Sequence, residues 1–424
     1  MVKASLTGLV HISLKIFVSK YYINTWGHEM NLINRIILII VNVAILFSFG
    51  CTEESNTQTD TGNYNYTIPE DIGDGLLTGS INDAGLDEQT LSDMMSFIDA
   101  TGGHQIHSIL IVKNGALVFE EYFDGFQYDF NAPNLQGTYI RFGYNTKNYL
   151  ASVTKSVTSI LFGIAKDKGY FQSTDELLLD HLPGYDDLLI GDKANMTLKH
   201  LLTMTSGLEW DEYTYPYGDQ RNDVTSLFRG DPTWFILQKD LMTTPGTAWH
   251  YNSGNANVLS DIIRRNFGRS VHYFAEEFLF GPLGITDYRW EMLNDNYIFA
   301  SGGLHLSSRN MAKLGLLYAN QGIWNGQQIV SSEWVDESVQ NYSTPFGSGN
   351  GFSNGYGYQW WLNRFLVGTQ AHNCFFGVGW GEQYIYVFPD IEMVVIIPSG
   401  YFAVPEVIRP HDLIQNYILP SLNN

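Results

Sequence analysis

Strand patterns lie at both ends of the folded part of this chain and helical patterns fill its middle. That arrangement constrains the fold most. Ser108 to Val112 and Ala116 to Phe123 are apolar, strand-like runs joined by Lys113-Asn114-Gly115, a hairpin turn sequence. Toward the C-terminus the strand signal returns at Tyr356 to Leu362, Gln383 to Val387 and Met393 to Pro398. Helical spacing marks Leu86 to Ala100, Ser152 to Lys168 (closed by Gly169), Thr197 to Thr203, Asn255 to Asn266, His272 to Phe280, Asn310 to Asn320 and His411 to Leu419. The order predicts an α/β (α+β) domain over 81–424. Its antiparallel sheet is formed by both ends, 81–168 and 341–424, and flanked by helices, with a mainly helical subdomain at 169–340 inserted between them.

Upstream of that domain, Arg35 precedes an apolar run from Ile36 to Gly50, and polar, acidic Thr52-Glu53-Glu54 follows it. A short basic region, an apolar stretch and a small residue before a processing site describe an export signal over 30–51. Met30 then reads as the initiator, and 1–29 as an over-extended N-terminus. Gly50-Cys51 resembles the end of a bacterial lipobox, so Cys51 is the expected lipidation site. The domain is therefore expected outside the cytoplasm, on the periplasmic side or cell surface of a bacterium, with a lipid anchor to the membrane. A retained transmembrane anchor is the competing reading. Residues 52–80 are polar and read as a flexible tether. Cys374, the second cysteine, is then left without a disulfide partner.

The formal net charge is −21, which repels phosphate backbones and argues against a nucleic-acid partner. No cysteine or histidine pattern predicts a metal, and no Walker loop or dinucleotide fingerprint predicts a cofactor. Asp211-Glu212 is only superficially like a glycosidase carboxylate pair, since no second acidic pair supports it. No pattern fixes the oligomeric state.

Chemistry is legible in Ala151-Ser152-Val153-Thr154-Lys155. Ser and Lys three residues apart meet on one helix face, with about 5–6 Å between their Cβ atoms. A serine at the helix start also sits in the positive end of the dipole. Nucleophile, base and field are then together. The bland alternative is an N-cap serine with a surface lysine. A second constellation is Pro245-Gly246-Thr247-Ala248-Trp249-His250-Tyr251-Asn252-Ser253-Gly254, a turn and polar loop before a helix. Tyr251 there could be pushed toward phenolate by a neighbouring ammonium, since opposite charge favours the ionised form. His250 is read as packing or tuning the loop.

Ser152-x-x-Lys155 with Tyr251-x-Ser253 resembles the β-lactamase and penicillin-binding-protein superfamily, in its class C-related branch. Thr197 to Leu208, Pro282-Leu283-Gly284-Ile285, Ser301-Gly302-Gly303-Leu304 and Gly357-Tyr358-Gln359-Trp360-Trp361 follow in matching order. The resemblance is nearest to 6-aminohexanoate-dimer hydrolases and family VIII-type esterases. It implies a transpeptidase-like fold with Ser152, Lys155 and Tyr251 as catalytic residues, acting on a small-molecule or peptide-like amide or ester without a cofactor. The third family motif departs. Lys313 is the last lysine, so no Lys-Thr-Gly borders the site, and Gly377-Val378-Gly379-Trp380-Gly381-Glu382-Gln383 stands in its place. The resemblance puts the oxyanion hole at the backbone of Ser152 and of Gly379, Trp380 or Gly381, with Ser253 orienting Lys155 or the substrate. Trp210, Tyr213 and Tyr215 are candidate pocket residues. The expected activity is serine amidase or esterase. A D-Ala-D-Ala carboxypeptidase or β-lactamase would need another cation near the site, such as Arg364. A non-catalytic binding protein on the same fold is the second alternative.

Overall fold

Apolar runs from both ends of the domain pair into one eight-stranded sheet. The computed structural model describes residues 64–345 and 352–423; the export signal, Met30 and Cys51 lie outside them. The strands are β1 (Leu77–Thr78), β2 (Ser108–Lys113), β3 (Ala116–Tyr122), β4 (Gly355–Tyr356), β5 (Trp361–Val367), β6 (Gln370–Gly379), β7 (Gln383–Phe388) and β8 (Met393–Ile397). They run in the order β1-β3-β2-β8-β7-β6-β5-β4, antiparallel except for β1 on β3. The β2–β3 turn places Asn114 and Gly115 at φ of 52° and 81°, the left-handed geometry that suits a tight hairpin. The seam between the two ends is β2 against β8, where Val395 faces Ile111.

Both faces of the central strands are covered, which explains their unbroken apolar runs. Leu110, Val112, Val394 and Ile396 belong to one core, together with helix α2 (Val153–Asp167), α3 (Ser253–Phe267) and α4 (Ser308–Ala319). Ile109, Ile111, Val395 and Ile397 belong to the other, under α1 (Glu88–Ala100) and the C-terminal helical segment Pro410–Ile418. A sheet built from both ends is what the order of strand and helix patterns predicts, and the β-lactamase/transpeptidase-like arrangement is what the resemblance implies.

Three boundaries differ from the sequence reading. The tether expected over 52–80 has structure within its described part. Tyr64 donates to Glu121, Tyr66 to the Val118 carbonyl at 2.8 Å, and β1 adds to the sheet edge. Helix α4, assigned to the inserted helical part at 169–340, packs on the sheet instead. A Cβ on its Gly315 would come within 2.5 Å of Val394 Cγ1. The segment 125–149, where the sequence reading assigns no element, contains a hairpin of Asp124–Tyr128 with Gln136–Arg141 and the short strand Lys147–Tyr149.

Helix α2 is nearly all buried, and its close packing depends on Gly163. A Cβ there would lie 2.3 Å from the Trp334 ring. Gly163→Ala is expected to destabilise the domain by about 1–3 kcal/mol through overpacking. A lower midpoint in urea at unchanged slope is the result to look for.

Candidate active site

Ser152 stands at the mouth of α2 because the chain turns sharply just before it. Ala151 has φ of 45°, rare for a residue with a side chain and costing about 1–2 kcal/mol. Val153 N–H donates to the Leu150 carbonyl at 3.1 Å, closing the turn. Ser152 does not cap its helix, since its side chain makes no capping bond. The hydroxyl faces Lys155 instead, with Nζ 2.9 Å from Oγ. That disposes of the N-cap reading.

Lys155 is 2% exposed, and its Nζ also donates to the Ser301 carbonyl at 2.8 Å. Burial pulls its pKa down to about 8, and the carboxylate of Glu212 opposes that shift. The neutral amine is therefore accessible near physiological pH. Ser301-Gly302-Gly303-Leu304 holds α2 in place. Thr158 Oγ1 donates to the Ala300 carbonyl at 2.7 Å, and Leu304 N–H to Thr154 Oγ1 at 3.2 Å. Ser301 belongs to a sequence motif, but its carbonyl as the partner of Lys155 has no signal in the sequence.

Tyr251 arrives on the loop before α3. The Thr197 to Leu208 segment carries that loop: His250 N–H donates to the Met204 carbonyl and Gly246 N–H to the Thr205 carbonyl, each at 2.8 Å. The Tyr251 ring lies 4.9 Å from Lys155 Nζ, and its phenol interacts with the Ser152 side chain. Burial among Trp249, Tyr356 and Trp361 pushes the Tyr251 phenol well above its ordinary pKa. The phenolate expected from the sequence is thus disfavoured, because desolvation outweighs the neighbouring ammonium. Tyr251 is a neutral hydroxyl, able to donate and accept. His250 packs as expected, with Nε2 donating to the Trp210 carbonyl at 2.9 Å.

The end of β6 approaches Ser152 closely. A Cβ on Gly379 would lie 2.1 Å from the Leu150 oxygen and 3.0 Å from Ser152 N, so only glycine fits. Among the described residues no acceptor takes the Ser152 N–H. Trp380 lines the pocket beside Ser152 and Ser253. Gly381 does not reach it. At φ of 81° it turns the chain against Phe402, and its carbonyl accepts from Tyr401 N–H. Ser253 lines the pocket, but the polar group that holds Lys155 is the Ser301 carbonyl.

The pocket has a volume of about 420 Å³. Trp210, Tyr213 and Tyr215 do not line it. Trp210 is buried beside Phe235, Tyr213 is 74% exposed at the rim near Tyr251, and Tyr215 stacks under Arg221. The aromatic lining is Tyr128, Phe130, Tyr149, Tyr217, Phe228, Phe299 and Trp380. These come from segments distant in sequence, so no local pattern could find them. Glu291 is the one charged side chain in that lining, and its carboxylate meets His305 at 3.1 Å. Arg364 lies elsewhere, in a separate cavity with Glu406 and Arg409.

A family model described as Beta-lactamase matches residues 96–402. This chain belongs to the β-lactamase family. Within it, the chain is 24% identical to the 6-aminohexanoate-dimer hydrolase of Paenarthrobacter ureafaciens, over 62% of this chain and 69% of that one. A family VIII carboxylesterase structure superposes with a TM-score of 0.60 at 15% identity, covering 84% of this chain and all of the other. The octameric penicillin-binding protein homologue from Pyrococcus abyssi gives 0.58 at 20% identity, over 78% and 76% of the two chains. These two show the fold. This β-lactamase-family chain is a serine hydrolase of the amidase/esterase kind.

Proposed function

We propose that this β-lactamase-family protein cleaves an amide or ester whose acyl group is bulky, apolar and without a carboxylate. The carrying observation is the pocket beside Ser152: seven aromatic side chains, no cation in the lining, and Glu291 as its charge. A substrate carboxylate would enter that pocket unpaired, at a cost of several kcal/mol. The carboxypeptidase or β-lactamase reading loses its candidate cation, because Arg364 lines another cavity.

In the proposed reaction, neutral Lys155 takes the Ser152 proton as Oγ bonds to the carbonyl carbon. The Ser152 N–H and the Gly379-Trp380 backbone receive the developing oxyanion. The proton passes by way of the Tyr251 hydroxyl to the leaving nitrogen or oxygen as its bond to carbon breaks. Water, losing its proton along the same route, then releases the acid and restores the serine.

The test is labelling with a fluorophosphonate probe, together with p-nitrophenyl esters and amides of graded acyl size and charge. Wild type is expected to label and to prefer aromatic or branched neutral acyl groups; Ser152→Ala is expected to do neither. Equal labelling of Ser152→Ala, or preferential turnover of nitrocefin and D-Ala peptides, would refute the proposal.

We also propose the lipid anchor at Cys51, supported by the apolar run before it and the acidic residues after it. Metabolic labelling with a radioactive fatty acid is expected for wild type and lost in Cys51→Ser. Equal incorporation in both would reject the anchor.

A further inference from the structure

Glu212 is a buried carboxylate that the steps above do not use. It is 4% exposed. Its Oε2 accepts from Trp210 Nε1 at 2.6 Å and from Ser253 N–H at 3.1 Å, which fixes it against the loop that carries Tyr251. A hydrogen-bond path continues from there to the base. The Ser253 carbonyl accepts from Asn257 Nδ2 at 2.8 Å, and the same amide donates to Ser301 Oγ at 3.0 Å. The Ser301 carbonyl then accepts from Lys155 Nζ. A carboxylate this deep needs a compensating charge. Its neighbours Tyr217, Tyr251 and Tyr356 are phenols held neutral by burial, and Tyr213 is an exposed phenol at the rim. Nearby, the Asp211 carboxylate accepts from Thr214 N–H at 2.9 Å, and Asp223 pairs with Lys239 at 2.6 Å. Around Lys155 stand the Ser152 hydroxyl, the Tyr251 ring and the Ser301 carbonyl, so the charge that answers its own is Glu212.

We propose that Glu212 is the counter-charge of this active site, a positioning residue that stabilises the Lys155 ammonium formed during acylation and holds the Ser253 end of the pocket. The proposal rests on the serine-hydrolase reading above. When Lys155 takes the Ser152 proton, a cation appears in a desolvated site, where a fixed carboxylate acts strongly. Removing the charge then has two consequences. Lys155 sheds its proton at lower pH, so the acid limb of the rate profile moves down. Formation of the ammonium becomes harder, so the plateau falls.

The experiment is the second-order rate of inactivation by a fluorophosphonate across pH 5–10, with the full chain as wild type, Glu212→Gln and Glu212→Asp. Glutamine keeps an acceptor for both N–H groups and loses the charge. Its plateau is expected to fall about tenfold and its acid limb to move down by about one pH unit. Aspartate keeps the charge on a shorter arm, so its limb is expected at the wild-type position with a lower plateau. An unmoved limb in folded Glu212→Gln would overturn the proposal. So would a limb in Glu212→Asp displaced downward, which is the outcome to measure if the glutamine variant does not fold. Wild type that fails to label at any pH would overturn the serine-hydrolase reading instead, so the two failures are distinguishable.

Discussion

Lys155→Met is expected to lower acylation by about 10³–10⁴-fold, the upper part of what a positioned general base contributes. The structural reason is the short contact between Nζ and Ser152 Oγ, with no other amine or imidazole bonded to that hydroxyl among the described residues. The wild-type profile should show the same group. Burial sets the Lys155 pKa at about 8 against 10.5 for the free side chain, and the unprotonated amine is the working form. The rate therefore rises with pH and levels off above about 8. At pH 7 it should be about one-tenth of its plateau. Lys155→Met loses the limb along with the rate, and Lys155→Arg is also inactive because a guanidinium does not deprotonate.

Stability separates lost chemistry from lost fold. The folded pKa of this cation lies below the unfolded one, so its burial penalty is fully present below pH 8 and is relieved between 8 and 10.5. Methionine removes that penalty but leaves the Ser301 carbonyl without its donor, a loss of about 1–3 kcal/mol. The two offset, so thermal unfolding at pH 7 is expected close to wild type. A melting temperature ten degrees lower would mean that Lys155 holds the fold rather than the reaction. A full rate at pH 7 would remove it from catalysis.

Gly379→Ala should reduce kcat/KM by about 10²–10³-fold, the loss typical when an oxyanion donor is misplaced. The methyl group would overlap the Leu150 oxygen at 2.1 Å and crowd Ser152 N at 3.0 Å. Either β6 moves outward or the tight turn at Ala151 opens, and both displace the oxyanion donors. An accompanying destabilisation of about 1–3 kcal/mol is expected from overpacking. Separate determination of kcat and KM decides the cause. A fall in kcat with KM within threefold supports misplaced donors, whereas a rise in KM alone would mean that Gly379 shapes only substrate access.

The legible parts of this protein are those that short-range chemistry encodes. The Lys113-Asn114-Gly115 turn, the helix ending at Gly169 and the strands at Gln383 and Met393 appear where their patterns put them, because each is decided by neighbours within a few residues. Strand β6 escaped notice because Gln370 to Gly379 mixes polar residues and glycine, and its pairing with β5 and β7 decides its form. Asp124 to Arg141 escaped for the same reason. Its alternation at Phe126-Gln127-Tyr128 is short and half exposed, so the pairing of Asp124–Tyr128 with Gln136–Arg141 decides its form.

The same division runs through the active site. Ser152, Lys155 and Tyr251 could be named from the sequence because helix periodicity and two short motifs carry them. Their protonation could not. The sequence put an ammonium beside Tyr251 and suggested a phenolate, but desolvation depends on Trp249, Tyr356 and Trp361, which only folding brings together. Glu212 was dismissed beside Asp211 as half of a weak carboxylate pair. It gains meaning only where Trp210 and Ser253 hold it, 41 residues apart in the chain for the latter bond. By itself, then, the sequence determined the family of the fold and the candidate nucleophile and base. Tertiary structure alone decided which aromatic groups make the pocket, which carbonyl holds the lysine and where the counter-charge lies, because burial and long-range contact, rather than spacing, set those properties.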